Sequence, residues 1–312
     1  MNDQTDQNSQ WPRPLAFVLG AGMARAAAQV GMIESLVGRG VRPDLVVGSS
    51  WGSVNAAALS TGVDQGVTGL RQFWLDLAVD RAWTSRFRGV IRALTPRRSE
   101  GSADIFREHL TSLLGDSNLD DAPVRACCVA TDLVSGVAVE LSTGRAVDAV
   151  MASAAVPLLL PPVVSGDQIL ADGGIVAPAP LRQAVALGAR SVVLLDVGAC
   201  GMAVDRARSL RWYEAGIAAY SDLLRSQADA ESALIAERVP VVVISTPPGE
   251  LMNFREADSA MSAGREAGVK LLDALSEGVD APGLYGVCAG DQRSSGSRRL
   301  QSLREIDETA SS

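Results

Sequence analysis

The stretch from Asp44 to Ala57 carries the clearest chemical signature in this sequence. A short apolar strand is predicted to end at Gly48, and a helix of small residues follows it. Gly48, Ser50 and Gly52 fill the pattern G-x-S-x-G, whose glycines permit a turn sharp enough to expose the serine hydroxyl. The first turn of the helix points its N–H groups and the positive end of its dipole at that position, which favours an anion there. The pattern indicates a nucleophilic Ser50, and the alternative is an ordinary flexible loop.

A nucleophilic serine needs a base, and two residues are candidates. His109 is the only histidine, but it lies within an ordinary amphipathic helix and precedes the best acid candidate, whereas the histidine of Ser-Asp-His hydrolases comes last. We therefore predict a surface or edge histidine. Asp172 ends an apolar strand and is followed by Gly173 and Gly174, so its carboxylate is expected at the strand end, where ligands bind in α/β sheets. A turn aspartate is the alternative for Asp172, because Asp-Gly pairs are common in turns.

Three glycine-containing motifs follow one another along the chain. They are a glycine turn with a basic residue (Val18–Arg25), the serine elbow (Asp44–Asn55), and Asp172-Gly-Gly, preceded by Ala152-Ser-Ala, Pro157 and Pro161-Pro-Val. In this order and spacing they resemble the patatin-like phospholipase family. The resemblance extends over about residues 15 to 275.

The resemblance implies a Ser-Asp dyad that works without histidine, with Ser50 as nucleophile and Asp172 as general base. It also implies an oxyanion hole built from backbone N–H groups of the first glycine turn. Arg25 would hold that turn or supply its charge. No metal and no organic cofactor is required. The residues that this scheme assigns to the oxyanion hole are Gly22, Met23 and Ala24, and the glycines that support the site are Gly48, Gly52, Gly173 and Gly174.

The glycine turn departs from the family pattern. Ala21, Met23 and Ala26 stand where glycine is usual, and Gln29 stands where histidine is usual. If one of these positions requires positive φ, the side chain there is strained. We expect either slow catalysis or a pocket adapted to an unusual acyl group.

The apolar periodicity predicts an α/β fold, a three-layer sandwich around a mainly parallel sheet of patatin-like type. Two βα units occupy the first sixty residues, and the long helical span between Arg206 and Arg238 separates two buried strands. We predict one acyl hydrolase domain over residues 15–288, with a disordered leader at 1–14 and a disordered tail at 289–312. The strands are predicted at Leu15–Leu19, from Leu45, and at Val124–Thr131, Val137–Leu141, Ile169–Asp172, Ser191–Val197 and Val239–Ser245.

Composition excludes several classes of protein. The net charge of −8 argues against a nucleic-acid partner, because phosphate contacts demand a basic surface. The four cysteines have no C-x-x-C spacing, so neither a zinc site nor a disulfide framework is predicted. The first ten residues are polar and lack the apolar core of a secretory signal, which favours a cytoplasmic protein.

The sequence thus predicts a serine acyl hydrolase that cleaves a lipid-like carboxylic ester through an acyl-enzyme. Two alternatives stay open: an acyltransferase that uses the same acyl-enzyme, and a catalytically weak regulatory or binding protein of the same fold. The arginine-rich stretch Arg81–Arg98, which includes Trp83 and Phe87, has two interpretations. It is either a solvated lid or insertion, or a peripheral contact with an anionic lipid surface.

Overall fold

The strands that the structure describes join into one mixed sheet. The structure is a computed structural model, and it describes residues 11–86, 96–157, 159–198, 212–246, 250–275 and 279–288. In chain order the strands are β1 (Leu15–Leu19), β2 (Leu45–Ser49), β3 (Arg125–Asp132), β4 (Ala138–Leu141), β5 (Val163–Ser165), β6 (Gln168–Asp172), β7 (Ser191–Asp196), β8 (Pro240–Ser245) and β9 (Gly283–Cys288). Their spatial order is β5-β6-β3-β2-β1-β7-β8-β9, with β4 paired to β3. The sequence analysis did not predict β5 or β9.

Helices cover both faces of this sheet. They are α1 (Ala27–Gly38), α2 (Trp51–Ser60), α3 (Val63–Val79), α4 (Arg81–Arg86), α5 (Pro96–Leu114), α6 (Ala146–Ser153), α7 (Leu181–Ala186), α8 (Trp212–Ala236) and α9 (Ala257–Ala274). A short 3-10 turn, Met23–Ala26, precedes α1. Of the helices described, none combines the length and apolar character needed to cross a membrane.

The alternation of side chains along β1 shows why the fold has three layers. Leu15, Phe17 and Leu19 belong to one buried cluster, which includes residues of α1, α2, α3, α5, α6 and α9. Ala16 and Val18 belong to a second cluster, which α7 and α8 complete on the opposite face. Because successive side chains of a strand point to opposite faces, an entirely apolar strand must be covered on both sides. The predicted α/β sandwich around a mainly parallel sheet is confirmed.

The predicted leader boundary at residue 14 is wrong for its last four residues. Trp11 is only 6% exposed and joins the larger core cluster. The Pro12 carbonyl accepts a hydrogen bond from the Ser191 hydroxyl, and Arg13 donates to the Arg42 carbonyl. These contacts attach the segment to the start of β7 and to the loop before β2. Residues 1–10 and 289–312 lie outside the described residues.

The arginine-rich stretch is only partly described. Trp83 in α4 is fully buried, and its ring packs against Trp51, Phe106 and Phe254. The beginning of the stretch is therefore anchored in the core and is not a solvated insertion. Residues 87–95, including Phe87, lie outside the described residues, so the expectation of a peripheral membrane contact stays a prediction.

Candidate active site

Ser50 occupies the junction between β2 and α2 in a strained backbone conformation. Its φ is +55°, in the left-handed region that residues other than glycine rarely adopt. Such a conformation costs about 1–3 kcal/mol and persists only where surrounding contacts impose it. One of these contacts is visible: the Ser50 N–H donates to the Ser153 hydroxyl at 3.1 Å, and that hydroxyl donates to the Val129 carbonyl at 2.6 Å. Ser153 thus ties the elbow to β3, a role that the sequence analysis did not assign.

The glycines of the elbow are required by close backbone approach. A Cβ at Gly52 would collide with the carbonyl of Leu19, and one at Gly48 would collide with the backbone of Gly52 and Ser53. Helix α2 can therefore begin directly above the ends of β1 and β2 only because both positions lack a side chain. This close packing brings Ser50 beside the turn that follows β1.

Asp172 meets Ser50 across the sheet. The Ser50 hydroxyl donates to Asp172 Oδ2 at 2.5 Å, and the Gly174 N–H donates to Oδ1 at 2.8 Å. The Thr131 hydroxyl holds the Asp172 carbonyl at 2.7 Å, where β6 runs antiparallel to β3. A Cβ at Gly173 would collide with the Val129 carbonyl, so only glycine allows the chain to turn here. Both oxygens of the Asp172 carboxyl group are thereby oriented.

Burial governs the ionisation of Asp172. Desolvation raises the pKa of its carboxyl group to about 7, although the hydrogen bonds from Ser50 and Gly174 act in the opposite direction. A general base is most effective when its pKa lies near the working pH. Asp172 is therefore matched to accept a proton from Ser50 at neutral pH.

The turn after β1 lies on the other side of Ser50. The Ala21 N–H donates to the Pro178 carbonyl at 2.8 Å, which fixes the start of the turn. The Ala24 N–H donates to the Leu251 carbonyl at 3.1 Å, so this amide is engaged and does not face a substrate oxygen. Of the three residues predicted for the oxyanion hole, only Gly22 and Met23 line the cleft with Ser50. Ala24 is corrected to a residue that fixes the turn.

Gln29, which stands where histidine is usual in the family, is a buried anchor of this turn. Its side-chain amide donates to the carbonyls of Gly20 and Leu195, at 2.8 Å and 3.0 Å. Its Oε1 accepts from the Asn55 amide at 2.8 Å, which links the turn to α2. A glutamine can bridge three segments because it offers two donors and an acceptor. The Gln29 side chain therefore holds the turn against β7 and α2. Arg25, 8% exposed, lies within the 3-10 turn and lines the cleft.

Met23 confirms that one glycine-like position in the turn has positive φ. Its φ is +49°, and its side chain is 7% exposed and lines the cleft. The strained backbone is consistent with the expectation from the sequence, and the buried side chain adds an apolar wall beside Ser50.

We predict that Met23→Gly lowers kcat/KM for a long-chain ester about tenfold and leaves kcat/KM for an acetyl ester nearly unchanged. Removing the side chain removes apolar contact with a long acyl chain, which for a buried methionine is worth about 1.5–3 kcal/mol. Met23→Leu is the control, since it keeps an apolar wall and the same strained φ. Equal losses on the long-chain and acetyl esters in steady-state assays would show instead that Met23 acts through its backbone.

The single histidine lies away from the dyad. His109 Nε2 is 2.9 Å from Asp80 Oδ2, and its ring packs edge-on against Phe73. The predicted surface or edge histidine is in fact half-buried, with 20% of its side chain exposed, and it does not line the cleft that contains Ser50.

We predict that His109→Ala changes kcat/KM less than about twofold and lowers the free energy of unfolding by about 0.2–1 kcal/mol, because it removes a partly exposed pair. Ester hydrolysis and denaturant unfolding measure the two effects. Loss of turnover in a folded variant would contradict the Ser-Asp dyad.

No metal centre is formed by the described residues. They contain no group of three or more histidine, cysteine or acidic side chains arranged to bind an ion. Cys127 and Cys128 are buried in β3, and desolvation raises the pKa of the Cys127 thiol to about 12. Thiols in this setting stay protonated and pack as small apolar groups.

One face of α8 forms a wall of the cleft, and the sequence analysis did not predict this wall. The cleft contains the dyad, the turn after β1 and the loop residue Leu251. Helical spacing places five α8 residues along it: Tyr220, Ser221, Leu224, Arg225 and Ala228. No motif marked these residues, because only the packing of α8 on the sheet brings them to the site.

The sequence of this chain is similar to those of several known proteins. Residues 17–185 match the family model described as patatin-like phospholipase. An NTE family protein of Mycobacterium tuberculosis is 30% identical over 194 residues, which cover 61% of this chain and 51% of the relative. Lysophospholipase NTE1 of Candida glabrata is 28% identical over 192 residues, which cover 59% of this chain and 10% of that protein. The chain spans about half the length of the mycobacterial relatives that it matches.

A solved structure supports the fold. VipD from Legionella pneumophila superposes with a TM-score of 0.50 at 16% identity, over 84% of this chain and 67% of that one. At this identity the likeness concerns the fold alone. The matched family model includes the turn, the serine elbow and Asp172-Gly-Gly, and it extends over more than half of the 312 residues. The chain belongs to the patatin-like phospholipase family.

Proposed function

We propose that this protein is a serine acyl hydrolase that cleaves a lipid-like carboxylic ester through a Ser50–Asp172 dyad. The observation that carries the proposal is the 2.5 Å hydrogen bond between the Ser50 hydroxyl and the carboxylate of a buried Asp172. The names of relatives, a lysophospholipase and a patatin-like phospholipase domain-containing protein, support the class of reaction.

In the proposed acylation step, Ser50 Oγ attacks the ester carbonyl carbon as its proton passes to Asp172 Oδ2. The oxyanion of the tetrahedral intermediate would accept hydrogen bonds from the N–H groups of Gly22 and Met23. These two residues stand at the start of the 3-10 turn, before Arg25, whose N–H makes the first hydrogen bond within the turn. Asp172 then gives the proton to the departing alkoxide, so the alcohol leaves neutral and an acyl-Ser50 ester remains.

Deacylation repeats the sequence with water. Asp172 accepts a proton from the attacking water, and the acyl group leaves as a carboxylic acid when that proton returns to Ser50 Oγ. An alcohol or amine in place of water would make the protein an acyltransferase through the same acyl-enzyme. The dyad does not distinguish the two acceptors.

Labelling with a fluorophosphonate and hydrolysis of a panel of esters test the proposal together. We expect covalent labelling that mass spectrometry maps to Ser50, accompanied by release of the free acid. Absence of labelling in the folded protein would favour the regulatory or binding alternative. Dominant acylated product at low glycerol or amine concentration would favour the acyltransferase.

A further inference from the structure

The cleft has an apolar part and a polar part. The apolar part contains Met23, Val156 and Leu251, and the Ala24–Leu251 backbone hydrogen bond keeps Met23 and Leu251 together. The polar groups lie on the α8 wall, where Tyr220, Ser221 and Arg225 stand beside the apolar Leu224 and Ala228, and the charged group among them is the Arg225 guanidinium. An acyl chain suits the first part, so the second faces the remaining portion of the ester.

Arg225 is incompletely satisfied in this position. Its Nε is buried and has no hydrogen-bond partner among the described residues. One terminal nitrogen donates to Asp222 Oδ1 at 3.3 Å, a long contact one helical turn earlier, and the side chain is 41% exposed. A buried N–H without an acceptor costs about 1–3 kcal/mol, and an anionic oxygen is the acceptor that best matches the guanidinium fork.

The charged side chains that line the cleft determine where an anionic group of a substrate can bind. Of the residues that the structure describes, Arg25 and Arg225 are the basic ones that line the cleft, and Asp172 and Asp196 are the acidic ones. Asp172 is at the buried end, and because burial raises its pKa to about 7, it carries only part of a charge at neutral pH. Arg225 lies at the exposed side, so its positive charge faces the part of the substrate that extends out of the cleft.

We propose that Arg225 determines specificity by binding an anionic group, phosphate or carboxylate, on the alcohol side of the ester. The inference rests on the proposed hydrolase function for the identity of the substrate, but the binding itself does not require catalysis. In this proposal Arg225 positions the substrate, and Ser50 and Asp172 carry out the bond-breaking steps.

Binding of ether analogues, which cannot be hydrolysed, tests the proposal separately from catalysis. The probes are 1-O-decylglycerol, its 3-phosphate, and the ether of decanol with glyceric acid, measured by titration calorimetry at one ionic strength. We expect the anionic probes to bind the wild-type protein at least tenfold more tightly than the neutral probe. Arg225→Gln should remove this preference and leave the neutral probe unchanged. If the anion binds only as part of the alkyl probe, inorganic phosphate alone should compete weakly with the anionic probes. Strong competition would identify a site for free phosphate.

Two further variants separate anion binding from a structural ion pair. Asp222→Asn removes the competing acceptor, so affinity for the anionic probes should rise, whereas disruption of a structural Arg225–Asp222 pair would lower affinity in both variants. Arg145→Gln is the matched control, since Arg145 forms a similar exposed pair with Asp116 at 3.1 Å away from the cleft. Equal affinity of wild type and Arg225→Gln for the phosphate probe overturns the proposal, even if Ser50 hydrolyses neutral esters.

Discussion

Replacing Ser50 with alanine is expected to lower ester hydrolysis by at least about 1,000-fold and to abolish fluorophosphonate labelling, because the loss of a nucleophile removes the covalent route entirely. The hydroxyl donates to Asp172, and within the elbow no other serine occupies the position between β2 and α2. Steady-state assays and intact mass after labelling measure the effect.

The fold should survive this substitution. Alanine keeps the backbone path, and the Ser50 N–H can still donate to the Ser153 hydroxyl. Ser60→Ala is the matched control, since Ser60 is a buried serine at the opposite end of α2 and its hydroxyl donates to the Ala57 carbonyl at 2.7 Å. Substantial hydrolysis by a folded Ser50→Ala protein, with Ser60→Ala unaffected, would refute the nucleophile assignment.

Replacing Asp172 with asparagine should lower kcat/KM about 100- to 10,000-fold, because it removes the general base while keeping a similar shape. In the wild-type protein the base must be ionised. Since burial raises the pKa of Asp172 to about 7, kcat/KM should rise about tenfold per pH unit below 7 and level off above it. The residual activity of Asp172→Asn should not show this rise of kcat/KM with pH. A wild-type profile that is flat between pH 5 and pH 8 would contradict the role of Asp172.

The same pKa predicts a stability difference with a definite sign. In the folded protein Asp172 binds its proton more tightly than in the unfolded chain, where the pKa is near 3.8. The stabilisation by the protonated form is therefore complete below about pH 4 and is lost as the pH rises towards 7. The free energy of unfolding of the wild type should fall relative to that of Asp172→Asn across this interval, as denaturant titrations at several pH values would measure.

Asp132→Asn provides a control of opposite sign. Hydrogen bonds from the Ser135 hydroxyl and the Val134 N–H lower the pKa of Asp132, so its stabilisation is present at neutral pH and is lost on acidification. The wild type should therefore lose stability relative to Asp132→Asn as the pH falls. The same sign for both variants would mean that a general acid transition, and not these two groups, dominates the pH dependence.

The local sequence was sufficient to predict most of the strands and to locate two candidate reacting groups. Continuous apolar segments between glycine turns predicted β1, β2, β3, β7 and β8, because a strand covered on both faces leaves a dense local pattern. The G-x-S-x-G motif located Ser50, since a tight strand-to-helix turn depends on the residue types at adjacent positions. Asp172 was identified in the same way, from the Asp-Gly-Gly turn after an apolar strand.

Tertiary structure alone decided how these elements meet. Ser50 and Asp172 are 122 residues apart, and the reversed direction of β6 beside β3 brings them into contact. The engagement of the Ala24 amide depends on a carbonyl of Leu251, and the position of Arg225 depends on how α8 packs over the sheet. Local patterns encode which face of an element is apolar, but not which distant hydrogen-bonding group will reach a given amide. For that reason Ser50 and Asp172 could be located in the sequence as candidates for nucleophile and base, whereas the engagement of the turn amides and the α8 wall of the cleft could not be predicted.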